Sequence, residues 1–228
     1  MIRRLRIRWP DRRPFAGRAD RPLRILAVSD EREPSLGVGS NREALGAIDA
    51  VLGCGDVEPD WLAFLADAFA APLVFVRGNH DRGSGWLAGR RVIPRPLASG
   101  SMERVAGIVV AGLAWPGVDA PGNRRDELSA WGTVIGLTRR LLIARLLRRL
   151  EPVLVMSHAA PEGVGDAPDA YHRGFRSYRW LLDRLRPPVW LHGHTTLASI
   201  DELELRHGPT TVVNVTGAVL LELDPPAG

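Results

Sequence analysis

The 228-residue sequence contains no lysine, because all 30 residues counted as Lys or Arg are arginine. It has a single cysteine, Cys54, so an intramolecular disulfide and a disulfide-stabilised scaffold are excluded, and a reducing cytoplasm is the expected compartment. No apolar run reaches the roughly 18 residues that a membrane span needs. The beginning of the chain also lacks the apolar stretch of a secretory signal. With 45% hydrophobic residues, the chain is predicted to be a soluble globular protein.

The formal net charge of +4 is distributed unevenly. Residues 1–24 hold nine arginines and two aspartates, so the rest of the chain is slightly acidic and nucleic-acid binding is not expected. Charged and apolar residues alternate over residues 4–9, which predicts an edge strand with its arginines in water. A transit peptide or a nucleic-acid-binding arm is the alternative. We therefore expect a basic segment over residues 1–22 and one domain over residues 23–228.

Short apolar runs alternate with helical patterns from residue 23 onward. The patterns predict strands over residues 23–29, 48–53, 73–76, 103–113, 153–156 and 189–191, and helices over 42–47, 59–69, 133–150 and 176–185. The third helix is expected to bury one leucine stripe, formed by Leu137, Leu141, Leu142, Leu146 and Leu147. Residues 199–205, 211–215 and 218–223 are predicted to be antiparallel strands. The order of elements indicates one α/β domain with a mixed sheet or a sandwich.

Polar residues follow five of the predicted strands directly. They are Asp30, Gly55-Asp56, Gly78-Asn79-His80-Asp81, Ser157-His158 and His192-Gly193-His194. Because the carboxyl ends of strands in an open α/β sheet form the ligand crevice, we expect these groups to converge. Carboxylate, carboxamide and imidazole ligands together suit Mn²⁺, Fe or Zn²⁺ better than Ca²⁺. The pattern therefore predicts metal-assisted hydrolysis.

In this order, the same residues resemble the motifs of the calcineurin-like metallophosphoesterases, over about residues 23–217. The resemblance implies a four-layer αββα sandwich with a two-metal site between its sheets. It also implies roles for individual residues. Asp30 would bind the first metal, Asp56 would bridge both, Asn79, His158 and His194 would complete the second site, and His80, paired with Asp81, would protonate the leaving group or steady the phosphate.

Two positions depart from the family pattern, and both would serve the first metal. Arg32 stands where the family has histidine, and so does Thr196. Because arginine cannot bind a metal ion, we expect one ion per chain, and two ions remain the alternative. Arg32 is expected to pair with Asp30, to replace the positive charge of the absent ion and to clamp the phosphate. The expected substrate is a phosphorylated small molecule or nucleotide. The alternative function is a catalytically degenerate scaffold that binds a protein or a phosphate ligand.

Five other features have two interpretations each. His192 is expected to support the site or the core rather than bind metal. Residues 169–174 form either a solvated turn or part of the substrate pocket. Cys54 is expected to be a small buried residue rather than a nucleophile. Trp86 and Trp115 lie in loops and could line the rim of a pocket, although core packing accounts for most of the seven tryptophans.

Overall fold

This computed structural model describes residues 2–19, 21–82, 95–118, 126–147, 149, 151–196 and 202–227, and within them it has eleven strands, four α-helices and two short 3₁₀ helices. The strands are β1 (Arg3–Arg8), β2 (Leu23–Ser29), β3 (Ala50–Gly53), β4 (Leu73–Phe75), β5 (Ser101–Val105), β6 (Ile108–Leu113), β7 (Val153–Ser157), β8 (Val189–His192), β9 (Glu204–His207), β10 (Thr210–Asn214) and β11 (Gly217–Asp224). The helices are α1 (Gly39–Leu45), α2 (Pro59–Phe69), α3 (Glu127–Leu146) and α4 (Arg176–Leu185).

The strands form two mixed sheets. The first has the order β1-β11-β2-β3-β4, and the second has the order β5-β6-β7-β8-β10-β9. In the first sheet β2, β3 and β4 are parallel, while β11 is antiparallel to β2 and parallel to β1. In the second sheet β6, β7, β8 and β10 are parallel, and β5 and β9 run antiparallel at the two edges.

Three buried apolar clusters divide the molecule into layers. The first cluster joins side chains of both sheets, among them Ile25 and Leu52 of the first sheet and Leu154 of the second. A second cluster packs α3 and α4 on the second sheet, and a third packs α1 and α2 on the first sheet. Helices therefore cover the outer face of each sheet, which confirms the αββα sandwich.

The predicted strand at residues 4–9 corresponds to β1, which lies at the edge of the first sheet and pairs only with β11 among the described strands. Arg4, Arg6 and Arg8 are exposed and Ile7 is buried, as the alternation predicts. The division of the chain at residue 22 stays a prediction.

Helix α3 differs from its prediction in its start and in its buried face. It begins at Glu127 because the carboxylate of Asp126 accepts the N–H of Ser129 and caps the first turn. The buried residues are Ala130, Val134, Leu137 and Leu141, whereas Leu142, Leu146 and Leu147 are exposed. The prediction was therefore right for Leu137 and Leu141 and wrong for the other three leucines of the stripe. The reason is that the helix carries apolar residues on two faces, and only one of these faces packs on the sheet.

The end of the chain also differs from the prediction. β10 is antiparallel to β9 but parallel to β8, and β11 leaves this sheet and inserts into the first one. The expected set of antiparallel strands was therefore only partly correct, because turn signals do not show which sheet a strand joins. Residues 199–201 of the predicted strand lie outside the described residues. No helix among the described residues is both long and apolar enough to cross a membrane.

Candidate metal centre

Asp56, His158 and His194 lie together where the loops after β3, β7 and β8 meet. Each offers a ligand atom, and these atoms lie within 4.8 Å of one another. Nε2 of His158 is 3.2 Å from Oδ2 of Asp56 and 2.7 Å from Oδ1 of Asn79. Four of the five predicted metal ligands are therefore neighbours. Asp30 is not a member of this cluster among the residues that the structure describes.

His158 is fully buried and its two nitrogens face three oxygen atoms. Nδ1 donates to the carbonyl of Cys54 at 2.9 Å, while Nε2 faces Asp56 and Asn79. Burial alone would lower the pKa of His158, but the charge of Asp56 and the hydrogen bond to it outweigh burial and raise the pKa to about 9. In the absence of a metal ion the ring is therefore a cation at neutral pH.

His194 is oriented by its backbone conformation and by two hydrogen bonds. Its backbone has φ +63°, and its N–H donates to Oδ2 of Asp30 at 2.9 Å. Nε2 lies 2.9 Å from the carbonyl oxygen of Tyr171 and donates to it. Burial, followed by the charge of His158, lowers the pKa of His194 to about 3. Since the neutral ring carries one proton, which is on Nε2, the lone pair remains on Nδ1.

Glycines let the loops approach one another closely enough to build this cluster. Gly55 has φ +95°, and a Cβ at this position would lie 2.6 Å from Nδ1 of His158. A Cβ on Gly193 would collide with the side chains of Ser29 and Asp30. A side chain at either position would therefore separate the loops that carry the ligands.

Asp56 and Asp81 bind backbone amides of these loops. Oδ1 of Asp56 accepts the N–H of His80 at 2.8 Å, and Oδ2 of Asp81 accepts the N–H of both Asp56 and Gly78 at 2.8 Å. Burial would raise the pKa of Asp56, but the charge of His158 and the hydrogen bonds from the His158 ring and the His80 amide lower it overall. Burial and the nearby charge of Asp56 raise the pKa of Asp81. Asp81 thus fixes the spacing of two loops.

The expected pairing of His80 with Asp81 is not formed. The carboxylate of Asp81 is buried on the two amides, whereas the side chain of His80 is exposed and its Nε2 lies 3.1 Å from the hydroxyl of Tyr171. The physical reason is that adjacent residues of this tight loop point to opposite sides, toward the protein interior and toward solvent.

The expected pairing of Arg32 with Asp30 was also wrong. Nε of Arg32 donates to Oε2 of Glu58 at 2.9 Å, and its guanidinium lies 5.4 Å from the centre of the Trp61 ring. Oδ2 of Asp30 instead accepts the hydroxyl of Thr216 at 3.2 Å, in addition to the amide of His194. The partners of Asp30 are thus residues that follow β8 and precede β11, and Arg32 lies at the surface without pairing with Asp30. Thr196, at the other altered position, is exposed.

Tyr171 is the site residue that sequence reasoning left undecided within residues 169–174. Its hydroxyl accepts from Nδ2 of Asn79 at 2.9 Å and is hydrogen-bonded to His80, and its carbonyl binds His194. It lies on a loop whose sequence has no periodic pattern. The location of this loop between two ligand-bearing strands was therefore the one feature of the sequence that could indicate a role for Tyr171 in the site.

Trp115 forms a wall of the cluster. It is buried, with its ring centre 4.7 Å from that of His194 and 5.9 Å from that of His158, and it also lines a cavity of about 580 Å³. Trp86, the other predicted rim residue, lies outside the described residues.

His192 and Cys54 are buried next to the ligands without joining the cluster. Nδ1 of His192 donates to the carbonyl of Gly193 at 3.1 Å, and burial lowers the pKa of His192 to about 4. Burial raises the pKa of the Cys54 thiol, which makes it a poor nucleophile, and its carbonyl holds His158.

The donor set fits a divalent metal ion. Asp56 and Asn79 supply oxygen atoms and two histidines supply nitrogen atoms, a mixture suited to Mn²⁺, Fe or Zn²⁺. Nε2 of His158 faces the side-chain oxygens of Asp56 and Asn79. A metal ion that replaced the proton on this nitrogen would therefore have both oxygens as ligands. The bond from Nδ1 to the Cys54 carbonyl is the outer contact that a metal-binding histidine usually has.

Solved structures share this fold at low sequence identity. A "Putative 5'-Nucleotidase from Staphylococcus aureus in complex with alpha-ketoglutarate" matches with a TM-score of 0.57 and 13% identity, over 90% of this chain and 55% of that chain. TT1561 of Thermus thermophilus matches at 0.53 and 16%, over 86% and 90%. GAP50, the anchor in the inner membrane complex of Plasmodium, matches at 0.50 and 12%, over 85% and 71%.

Curated protein sequences give no match to this chain. The sequence model of the calcineurin-like phosphoesterases matches residues 39–196, which include Asp56, Asn79, His158 and His194. The match covers more than half of the chain and agrees with the two-sheet sandwich and with the metal-binding cluster. The chain belongs to the calcineurin-like phosphoesterase family.

Proposed function

We propose that this protein is a cytoplasmic, metal-dependent phosphoesterase that hydrolyses a phosphomonoester or phosphodiester of a small molecule or nucleotide with one divalent ion. Asp56, Asn79, His158 and His194 would hold the ion. The observation that supports this proposal best is the cluster of three ligand atoms within 4.8 Å, with the oxygen of Asn79 beside it. When bound, such an ion lowers the pKa of a water molecule and polarises a phosphoryl oxygen.

The contacts of Asp30 and Arg32 favour one ion over two. Asp30 accepts hydrogen bonds from His194 and Thr216, and Arg32 is paired with Glu58. Arg32 and Thr196, which stand at the positions of the family histidines, offer no nitrogen ligand to a first ion, and Oδ2 of Asp30 already accepts two hydrogen bonds.

His80 is the proposed proton donor. Its amide is bound to Asp56, so the exposed imidazole stands next to the cluster and can give a proton to the leaving oxygen. Asp81 would act indirectly, by holding the loops of Asp56 and Gly78. Arg32 would contact the phosphate only by exchanging Glu58 for it, which is feasible because an exposed ion pair is worth about 0–1 kcal/mol.

A substrate panel tests this function. The purified protein, treated with chelator and reloaded with Mn²⁺, Fe²⁺ or Zn²⁺, is assayed on p-nitrophenyl phosphate and bis-p-nitrophenyl phosphate. His80→Ala should lower kcat about 10²- to 10⁴-fold with unchanged ion content, and Asn79→Ala should lose the ion. His207→Ala is the matched control, because His207 binds Asp183 outside the cluster. Equal rates in wild type and both site variants would contradict the proposal.

The second candidate is a scaffold that binds a partner or a phosphate ligand without turnover. The absence of both family histidines, at Arg32 and Thr196, is the observation that favours it. GAP50, which has the same fold, is described as an anchor. One bound ion per chain together with no hydrolysis of either ester by any metal form would support this candidate.

A further inference from the structure

The loop between β7 and α4 is held by hydrogen bonds to two aspartates. Asp166 accepts the N–H of Gly163 at 2.9 Å and that of Gly174 at 2.8 Å, which closes the base of the loop. Asp169 accepts the N–H of Tyr171 at 2.9 Å near its tip. These bonds fix the backbone of Tyr171, although half of this residue is exposed.

Tyr171 touches three residues of the candidate site through two different groups. Its hydroxyl lies 2.9 Å from Nδ2 of Asn79 and 3.1 Å from Nε2 of His80, and its carbonyl oxygen lies 2.9 Å from Nε2 of His194. The side chain therefore bridges a proposed ligand and the proposed proton donor.

The contact with Asn79 has a consequence for metal binding. A carboxamide offers a cation its oxygen, whereas its NH₂ group carries positive hydrogens and repels a cation. Asn79 is fully buried, with Oδ1 facing His158 and Nδ2 facing Tyr171. An acceptor on the Nδ2 side thus keeps the oxygen on the side of the cluster.

We propose that Tyr171 is a positioning residue of the metal centre, whose hydroxyl orients the Asn79 carboxamide so that Oδ1 faces the ion. This inference rests on the proposed function in taking Asn79 as a ligand. The hydroxyl is also hydrogen-bonded to Nε2 of His80. One phenol therefore sets the direction of a ligand and holds the imidazole beside it.

Tyr171→Phe tests the proposal, because it removes the hydroxyl and keeps the ring and the backbone contact with His194. Titration of the metal-free protein with Mn²⁺ by calorimetry should show an affinity about 10- to 100-fold weaker than that of wild type, the usual cost of losing a partner of a metal ligand. The chain provides a matched control, since its only other tyrosine, Tyr178, donates its hydroxyl to the carbonyl of Ala114. Tyr178→Phe should lower the thermal midpoint and leave the Mn²⁺ affinity unchanged.

Repeating the Tyr171→Phe substitution in an Asn79→Asp variant distinguishes a loss of carboxamide orientation from a general loosening of the loop. In Asn79→Asp, either carboxylate oxygen can face the ion, so Tyr171→Phe should lose most of its effect on Mn²⁺ affinity there. An equal effect in both backgrounds, or wild-type affinity in Tyr171→Phe alone, overturns the proposal.

The proposed function can fail independently of this inference. A wild-type protein that binds Mn²⁺ but hydrolyses no ester overturns the proposed phosphoesterase, while the comparison of affinities still decides the role of Tyr171. A wild-type protein that binds no ion overturns both.

Discussion

Nε of Arg32 donates to Oε2 of Glu58 at 2.9 Å, so a carboxylate outside the ligand cluster holds the arginine that stands in place of a family histidine. Asp30, two residues earlier, accepts the amide of His194 instead. In this arrangement Arg32 therefore does not replace the positive charge of a first metal ion. The altered positions act by removing ligands.

Restoring both histidines should restore the first metal site. We expect Arg32→His with Thr196→His to raise the ion content from one to two per chain, measured by elemental analysis, because two imidazoles would join Asp30 and Asp56. Arg32→Gln with Thr196→Val removes the same side chains without adding ligands and should keep one ion. Two ions in the wild-type protein would contradict the single-ion proposal.

The stability of the metal-free protein should fall as the pH rises above neutrality. The folded state raises the pKa of His158 to about 9 from an ordinary 6.5, so folding binds a proton between these values. The stabilisation is fully present below pH 6.5 and is lost as the pH rises through 9. Urea midpoints in chelator, measured from neutral pH to above the pKa of His158, quantify this loss. His158→Gln, which cannot titrate, should show a flatter profile, and identical profiles would refute this assignment.

Metal binding near neutral pH should release a proton. At a pH of about 7.5 the His158 ring is protonated in the folded protein, and a ligand nitrogen must be neutral, so each Mn²⁺ should displace about one proton. Calorimetric titrations in buffers with different ionisation enthalpies count this proton. A binding enthalpy that does not depend on the buffer would show that His158 is not a ligand.

Two glycine-to-alanine substitutions should change the free energy of unfolding in opposite directions. Gly55→Ala places a Cβ 2.6 Å from His158 at φ +95°, so we expect a loss of about 1–3 kcal/mol in unfolding free energy and weaker metal binding. Gly132 lies inside α3, where an added Cβ would meet no atom within 4 Å, and Gly132→Ala should add about 0.5–1 kcal/mol. Denaturant unfolding measures both, and destabilisation by Gly132→Ala would contradict the open space seen there.

Adjacent leucines of α3 should differ in their contribution to stability. Leu141 is 6% exposed and Leu142 is 53% exposed. We expect Leu141→Ala to cost about 2–5 kcal/mol and Leu142→Ala to change stability by less than about 0.5 kcal/mol. Denaturant midpoints decide this, and a large loss in Leu142→Ala would mean that this face is covered in solution.

The ligands could be predicted from the sequence because each follows an apolar run that is long enough to identify as a strand. Asp56, Asn79, His158 and His194 all come at the end of such a run, and parallel strands bring their carboxyl ends to one edge. The order of these residues then indicated the family. Pattern and chain order together were sufficient for the fold and for the cluster.

Side-chain partners could not be predicted in the same way. Arg32 was predicted to pair with Asp30, two residues away, whereas in the fold it pairs with Glu58, which is distant in sequence. Asp81 pairs with backbone amides, which carry no sequence signal. Tyr171 reaches Asn79 across a long stretch of chain from an irregular loop. Such contacts depend on loop conformation rather than on periodicity.

The insertion of β11 between β1 and β2 also bears on how the chain folds during synthesis. Val219 pairs with Arg3 on one side and with Ala27 on the other, so the gap between the first two strands stays open until residues 217–224 leave the ribosome. Thr216, which binds Asp30, arrives with the same strand. Contacts this distant in sequence are slow to form. We therefore expect the metal centre to mature only after this strand has been synthesised, with metal loading as a late step.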